Sequence, residues 1–208
     1  MPNTIETVEA FIATTSLGSI WSSCSPDFGS KGVIERFSQI NPKVLFITDQ
    51  YFYNGKKIDI LNRLPEILKL IPSIKSVVIS NYPGKKFIKN KYKFKKINLF
   101  KWNELMQNNT EKIDFKRFDF ETELAILYSS GTTGKPKCIC HRSGGVLIQH
   151  MKEHQLHCNI KENDNVFYFT TCGWMMWNWL VSSLASKASI VLFDGSPMFK
   201  SSDLLLKI

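Results

Sequence analysis

The chain has 208 residues, of which 43% are hydrophobic and 22% are charged, so it is large and apolar enough to bury a core. This composition excludes a disordered chain, a collagen and a coiled coil. The most apolar run, from Trp174 to Phe193, is interrupted by an asparagine, four serines and a lysine. We therefore expect a buried helix and strand there, and no partnership with a membrane.

The net charge of +9 is concentrated in one part of the chain. Residues 84–117, the lysine-rich segment, carry 11 basic and 3 acidic side chains and thus nearly all of the excess. Its cations are lysines except Arg117, whereas recognition of phosphates and bases favours the arginine fork. We interpret the segment as a solvated surface connection and expect no nucleic-acid partner. A basic nucleic-acid-binding module is the distant alternative.

Cysteine and histidine spacing gives little sign of a metal site. The five cysteines are odd in number and include no C-x-x-C pair, which predicts reduced thiols in a cytoplasmic protein. Three histidines share one face of a predicted helix, with further possible zinc ligands nearby in sequence: His150, His154 and His157, then Cys138, Cys140, His141 and Cys158. An apolar stripe through Leu147 and Met151 adjoins that face, so we favour core or surface histidines and expect no metal.

Apolar runs and turn signals predict alternating helices and strands in the first half of the chain. In chain order these are a helix at Thr4–Leu17 stopped by Gly18, a strand at Ser19–Trp21, a loop at Ser22–Gly29, a helix at about Lys31–Ile40, a strand at Val44–Thr48, a helix at about Ile58–Ile71, a strand at Val77–Ser80 and, beyond most of the lysine-rich segment, a short helix at Trp102–Gln107.

The second half continues the alternation. It is predicted to contain a strand at Leu124–Tyr128, a polar loop, a strand near Cys138–His141, a helix at about Ser143–Cys158, a strand at Val166–Thr170, a helix at Trp174–Ala185 and a strand at Ser189–Asp194. Such alternation predicts an α/β protein with parallel-rich sheets flanked by helices. We expect residues 1–118 and 119–208 to form a first and a second α/β part.

The loop after the strand at Leu124–Tyr128 is the most informative stretch of the sequence. Two glycines allow positive φ and close backbone approach, and the backbone N–H groups and hydroxyls of such a loop form an anion-binding nest. It is not the Walker pattern, because only two residues separate its glycines and no Lys-Ser or Lys-Thr pair follows. We predict that it binds phosphate through Ser129, Ser130, Gly131, Thr132, Thr133, Gly134, Lys135 and Lys137.

The loop sequence SSGTTGKPK resembles the phosphate-loop signature of the adenylate-forming enzymes, which include acyl-CoA synthetases, luciferases and nonribosomal adenylation domains. Other segments resemble the branch of that superfamily that activates acetoacetate: IWSSCSPDFG, RFSQINPK, YNGK, KPKCICH, GGVLIQHMKEHQLHCN, TTCGWMMWNWL and LFDGSP. The resemblance runs from about Asn3 to Pro197, apart from the lysine-rich segment. The loop alone indicates the superfamily, and the SSCSPDFG and GWMMWNW segments indicate the branch.

The resemblance implies an ATP-dependent acid–thiol ligase. ATP, with Mg²⁺, would activate the carboxylate of acetoacetate as an acyl-adenylate, and CoA would then displace AMP to form the thioester. An acetate or propionate ligase of the same superfamily is the nearest alternative. We expect an internal segment of the large N-terminal domain, truncated at both ends. The C-terminal domain with its catalytic lysine would be absent, so the segment would hold no catalytic residue and would not turn over alone.

The tryptophan-rich stretch has two possible roles. Packing large apolar side chains into a helix usually means burial. The resemblance implies in addition that part of this stretch shapes a pocket for the small acid. We expect the candidate pocket residues to be Trp174, Met175, Met176 and Trp177, with some of the rings forming the pocket and the others holding the helix in place.

Overall fold

The computed structural model describes residues 1–86, 94–107, 113–129, 134–199, 201 and 203–207. Its α-helices are α1 (Ile5–Ser16), α2 (Ser30–Phe37), α3 (Leu64–Leu70), α4 (Trp102–Leu105), α5 (Ser143–Met151) and α6 (Met175–Ser182). Its strands are β1 (Trp21–Ser22), β2 (Val44–Thr48), β3 (Gln50–Tyr53), β4 (Lys56–Asp59), β5 (Ser76–Ser80), β6 (Asn98–Lys101), β7 (Glu123–Ser129), β8 (Lys137–Arg142), β9 (Asn165–Phe167) and β10 (Ser189–Val191). A π-helix at Lys152–His157 extends α5, and 3-10 turns lie at Leu61–Arg63, Ser183–Ser186 and Leu204–Lys207.

The chain divides into two compact units. The first consists of residues 3–25 and 110–193 with Met1, and it contains a three-stranded sheet in the order β1-β7-β8. β1 is parallel to β7 and β8 is antiparallel to it, so β7 and β8 form a hairpin. A separate parallel pair joins β10 to β9. α5 precedes β9 and α6 precedes β10 in the chain, and the two helices contact each other through a hydrogen bond between His150 and Ser182.

The second unit consists of residues 26–109 and 194–208 with Pro2. Its three-stranded sheet, in the order β2-β5-β6, is parallel throughout. β3 and β4 form an antiparallel hairpin whose two turn residues, Asn54 and Gly55, have φ of 48° and 76°. Positive φ at both central residues gives a turn whose twist matches that of the flanking strands, which explains the Asn-Gly pair.

Aromatic packing organises the core of the first unit. Trp177 is fully buried, and its ring stacks on Trp21 at a centroid distance of 6.5 Å and meets the edge of Phe11 at 5.5 Å. Such pairs contribute about 0.5–1.5 kcal/mol beyond the area that they bury. α1, β1 and α6 are therefore held together by one aromatic cluster.

The structure confirms the predicted α/β class with parallel-rich sheets: the described strands pair in four parallel and two antiparallel ladders. The strand predicted at Val44–Thr48 has the predicted bounds. The helix predicted at Ser143–Cys158 is continuous in α5 and the π-helix, and no helix among the described residues is long and apolar enough to cross a membrane. None of the five cysteines, all of them described, is in a disulfide.

Two predictions of secondary structure were wrong. The helix expected at about Ile58–Ile71 begins only at Leu61, because the Asn54–Gly55 turn folds residues 56–59 back onto β3 as β4. The lysine-rich segment is not purely a connection, because Asn98–Lys101 forms β6 and pairs with β5 at the edge of a sheet. Exposed polar residues flank Leu99 and Phe100, so the sequence shows no apolar run that identifies this short edge strand.

Candidate functional site

The predicted phosphate loop connects the two strands of the β7–β8 hairpin. Ser129 is paired with Lys137, so the loop leaves and re-enters the sheet at one point. Lys135 and Lys137 are exposed, and Gly134 has a φ of 104°, a conformation that favours glycine. Ser130, Gly131, Thr132 and Thr133 lie outside the described residues. The described part of the loop therefore presents two solvent-accessible ammonium groups beyond the carboxyl end of β7.

A second loop follows the strand that is parallel to β7. β1 ends at Ser22, which lies beside Ile126, and the Ser22 hydroxyl donates a hydrogen bond of 2.9 Å to the Ile126 carbonyl. The same oxygen lies 3.1 Å from the Tyr128 hydroxyl. The loop after β1 and the predicted phosphate loop thus follow the carboxyl ends of adjacent parallel strands. This is the edge at which α/β sheets generally bind ligands.

The segment that precedes α6 is bound to the loop after β1. The Ser23 hydroxyl donates a hydrogen bond to the Cys172 carbonyl, and the Cys172 thiol donates to the Met1 carbonyl at 2.8 Å. Ser23 and Cys172 are both buried. The start of α6 is therefore fixed at the same edge of the sheet as the two loops. The sequence analysis placed Ser22 and Ser23 in a loop and gave them no role, although two hydroxyls directly after a predicted strand could have indicated one.

The four candidate pocket residues differ in exposure. Trp174 and Met175 are 57% and 44% exposed, whereas Trp177 is fully buried and its indole N–H donates to Asn3 at 2.8 Å. Met176 packs against the small apolar cluster around Leu180. Trp177 therefore holds the helix in place, and Trp174 and Met175 are the members that a ligand could reach.

Met175 lines an open groove of about 650 Å³ in the first unit. The other walls come from β8, through residues such as His141 and Arg142, and from α5, through residues such as Gly145 and His150. Arg142 is held by an ion pair of 3.1 Å with Glu121, another lining residue. The groove thus joins an apolar side chain at the start of α6 to polar side chains of α5 and β8.

α5, its π-helical extension and α6 meet along a polar seam. Nδ1 of His150 is 2.7 Å from the Ser182 hydroxyl, and the indole N–H of Trp179 donates to Glu153 at 2.9 Å. His154 is completely buried, with its ring 4.4 Å from that of Trp179 in a T-shaped contact. Burial, reinforced by His154, lowers the pKa of His150 to about 4, and burial also lowers the pKa of His154.

The histidines considered for zinc do not converge. His150 and His154 face α6, whereas His157 is exposed. In the part of the chain that the structure describes, no group of three or more His, Cys, Asp or Glu side chains could hold a metal ion. The sequence analysis placed His150 in the core or on the helix surface and missed its bond to Ser182, a tertiary contact between α5 and α6 for which the sequence carries no local signal.

The AMP-binding enzyme family matches residues 1–208, and the chain belongs to that family. Acetoacetyl-CoA synthetase of Gallus gallus is 46% identical over 208 residues, which are 99% of this chain and 31% of that protein. Acetoacetyl-coenzyme A synthetase of Rhizobium meliloti is 46% identical over 197 residues, 95% of this chain and 30% of the relative. The solved acetoacetyl-CoA synthetase of Streptomyces lividans superposes with a TM-score of 0.88 at 38% identity, over 98% of this chain and 30% of that one. The chain thus spans about a third of the length of these relatives.

Proposed function

We propose that this chain is a segment of an ATP-dependent acid–thiol ligase that activates acetoacetate and transfers it to CoA. The observation that carries the proposal is the 46% identity to an acetoacetyl-CoA synthetase over 99% of the chain. In the first half-reaction a carboxylate oxygen of acetoacetate attacks the α-phosphorus of ATP and displaces pyrophosphate. In the second, the CoA thiol, which loses its proton, attacks the acyl carbon and displaces AMP.

The phosphate loop would serve the first half-reaction. Lys135 and Lys137 are exposed beyond β7 and can approach the β- and γ-phosphates as charge develops on the departing pyrophosphate. The hydroxyls and glycines proposed to complete the nest, Ser129, Ser130, Gly131, Thr132, Thr133 and Gly134, are assigned from the loop sequence. The contribution of such a loop is positioning and charge stabilisation, without covalent chemistry.

The start of α6 would bound the acyl pocket. Met175 and Trp174 are exposed at the start of α6, whose preceding segment the Ser23–Cys172 contact ties to the loop after β1, and Met176 packs against the apolar cluster around Leu180. A small acid needs a pocket with few polar groups and a fixed wall, and these side chains supply an apolar wall. Trp177 would hold the helix through its packing and its hydrogen bond to Asn3.

Magnesium is expected to accompany the nucleotide, and CoA is expected as the second substrate. The described residues offer no cluster of carboxylates or histidines that fits a protein-held Mg²⁺, so we assign no ligand to the ion and derive no step through it. We further propose a cytoplasmic location, no nucleic-acid partner, and dependence on the rest of a ligase chain, with residues 1–118 and 119–208 belonging to two successive α/β parts.

A chimaera tests the proposal. Residues 1–208 replace the matching 30% of the Streptomyces lividans enzyme, with which they superpose at a TM-score of 0.88. We expect ATP–pyrophosphate exchange that depends on acetoacetate and exceeds the exchange with acetate or propionate. A folded chimaera that shows no exchange with any acid contradicts the proposal, and a preference for acetate or propionate favours the related acid ligase.

The Streptomyces lividans enzyme contributes its own preference among acids, so the segment is also grafted into a second host. The same segment is placed in an AMP-binding ligase that activates acetate, and use of acetoacetate is measured against the unmodified host. A rise in the acetoacetate-to-acetate ratio supports the proposed substrate, because the only pocket residues exchanged are those of this chain. An unchanged ratio argues against a role of the segment in choosing the acid.

A further inference from the structure

The polar seam between α5 and α6 contains a directed chain of hydrogen bonds. The Ser182 hydroxyl donates to the Trp179 carbonyl at 2.8 Å, so its proton is committed within α6. The 2.7 Å contact with His150 is then donated by Nδ1–H of the imidazole to the Ser182 oxygen. His150 is only 5% exposed, and its low pKa keeps the ring neutral near pH 7. A neutral imidazole on α5 thus donates a hydrogen bond to the last turn of α6.

The hydrogen bond between His150 and Ser182 acts on the same face of α6 that lines the groove. Met175 and Ser182 are seven residues apart, which places them on one face of an α-helix about 10 Å from each other along its axis. His150 is related to both ends of this arrangement, because it bonds Ser182 and is one of the residues that line the groove with Met175. The start of α6 is tied down through Cys172 and Trp177, so the bond at Ser182 fixes the other end of the helix and with it the rotation and tilt at which Met175 meets the groove.

We propose that His150 is a positioning residue that, through its hydrogen bond to Ser182, sets the place of Met175 and thereby the selectivity of the ligase for its acyl group. This inference rests on the proposed function, because it takes Met175 as part of the acyl pocket. A displacement of about 1 Å can cost as much as 10²-fold in rate when it misplaces a reacting group, and pocket changes of one methylene discriminate by about 10- to 200-fold. A displacement of Met175 of this size on loss of the Ser182 bond would change the choice between acetoacetate and an acid of similar size.

Side-chain substitutions that mimic one ring nitrogen at a time separate this role from simple packing. His150→Asn retains a donor near the position of Nδ1, whereas His150→Gln places its amide near Nε2 and loses the Ser182 bond. Ser182→Ala removes the acceptor and keeps the imidazole. His157→Asn is the matched control, since His157 is an exposed histidine of the same helical run.

The variants are compared in the chimaera by kcat/KM for acetoacetate and for butyrate, which lacks the keto oxygen. In His150→Gln and Ser182→Ala we expect the acetoacetate-to-butyrate ratio to fall about tenfold, mainly through KM for acetoacetate, and in His150→Asn and His157→Asn to stay within about twofold. An equal loss for both acids, or a His150→Asn variant that behaves like His150→Gln, overturns the proposal.

A measurement without turnover keeps the test independent of the proposed function. With methyl-labelled methionine, the Met175 signal, assigned by Met175→Leu, should shift in His150→Gln and Ser182→Ala and stay in place in His150→Asn and His157→Asn. An unmoved signal in all four variants refutes the positioning role. A chimaera whose signal moves as expected but which activates no acid leaves the positioning intact and refutes the proposed function.

Discussion

Asn3 and Trp177 are 174 positions apart in the chain and are joined by a hydrogen bond of 2.8 Å from the indole N–H to the amide oxygen. The amide nitrogen of Asn3 donates to the Phe193 carbonyl at 3.1 Å and approaches the Thr170 carbonyl at 3.4 Å. One buried side chain before α1 therefore satisfies groups before α6, within α6 and after β10. This explains why an asparagine occupies a position that is only 4% exposed.

We expect Asn3→Leu to destabilise the protein by about 2–3 kcal/mol, because the buried N–H of Trp177 and at least one carbonyl lose their partner. The thermal midpoint of the chimaera measures the effect. Asn103→Leu, at an exposed asparagine of α4, is the control and should change stability by less than about 0.5 kcal/mol. Equal midpoints for the two variants would show that the Asn3 contacts contribute nothing net.

Two adjacent glycines at the start of α5 should respond oppositely to alanine. A Cβ on Gly144 would clash with the Phe120 ring, whereas a Cβ on Gly145 would meet nothing within 4 Å. Gly144→Ala must displace that ring and should cost about 1–2 kcal/mol, while Gly145→Ala should be neutral or stabilise by up to about 1 kcal/mol through helix propensity. Thermal midpoints of the single variants and of Gly144→Ala with Phe120→Ala check this, since removal of the ring should cancel most of the cost.

Because His150 is buried in its neutral form, we expect the free energy of unfolding to decrease in acid. The pKa of His150 is about 4 in the folded protein and about 6.5 when unfolded, so the unfolded state binds more protons between these values. Stability present above pH 6.5 is therefore lost as the pH falls towards 4, by up to about 3 kcal/mol. The stability advantage of the wild type over His150→Asn should shrink across this interval in thermal melts. An advantage that stays constant or grows as the pH falls would contradict the sign.

The sequence predicted those parts of the fold whose signals are local. The run Val44–Thr48 is short and rich in β-branched residues, which favours a strand over a helix, and Gly18 stops α1 with a φ of 72°. β3, β4 and β6 were missed, because β3 follows β2 after a single residue and the four-residue strands β4 and β6 lack the alternation that identifies a strand. Their pairing is decided by the Asn54–Gly55 turn and by β5, which are contacts between segments.

The same distinction applies to the candidate site: features with a local sequence signal were predicted, and features that depend on tertiary packing were not. The loop before Lys137 was recognisable because glycines, hydroxyls and lysines within nine residues have a direct meaning for phosphate chemistry. The burial of Trp177 and the bond between His150 and Ser182 could not be foreseen, because they depend on how α6 is placed against α1 and α5. Only tertiary packing determines that Trp177 is buried and holds the helix, whereas Trp174 is exposed.

The loop prediction can be tested with two exposed lysines of the chain. Lys137 follows the loop at the carboxyl end of β7, whereas Lys95 lies in the lysine-rich segment. If Lys137 stabilises charge that develops on the departing pyrophosphate, Lys137→Ala should lower kcat for adenylate formation by about 10²-fold and weaken ATP binding much less. Lys95→Ala should change the rate by less than about threefold, since an isolated surface charge contributes little. Acetoacetate-dependent ATP–pyrophosphate exchange in the chimaera compares the two, and equal damage in both variants, or normal exchange in Lys137→Ala, would place the phosphate site elsewhere.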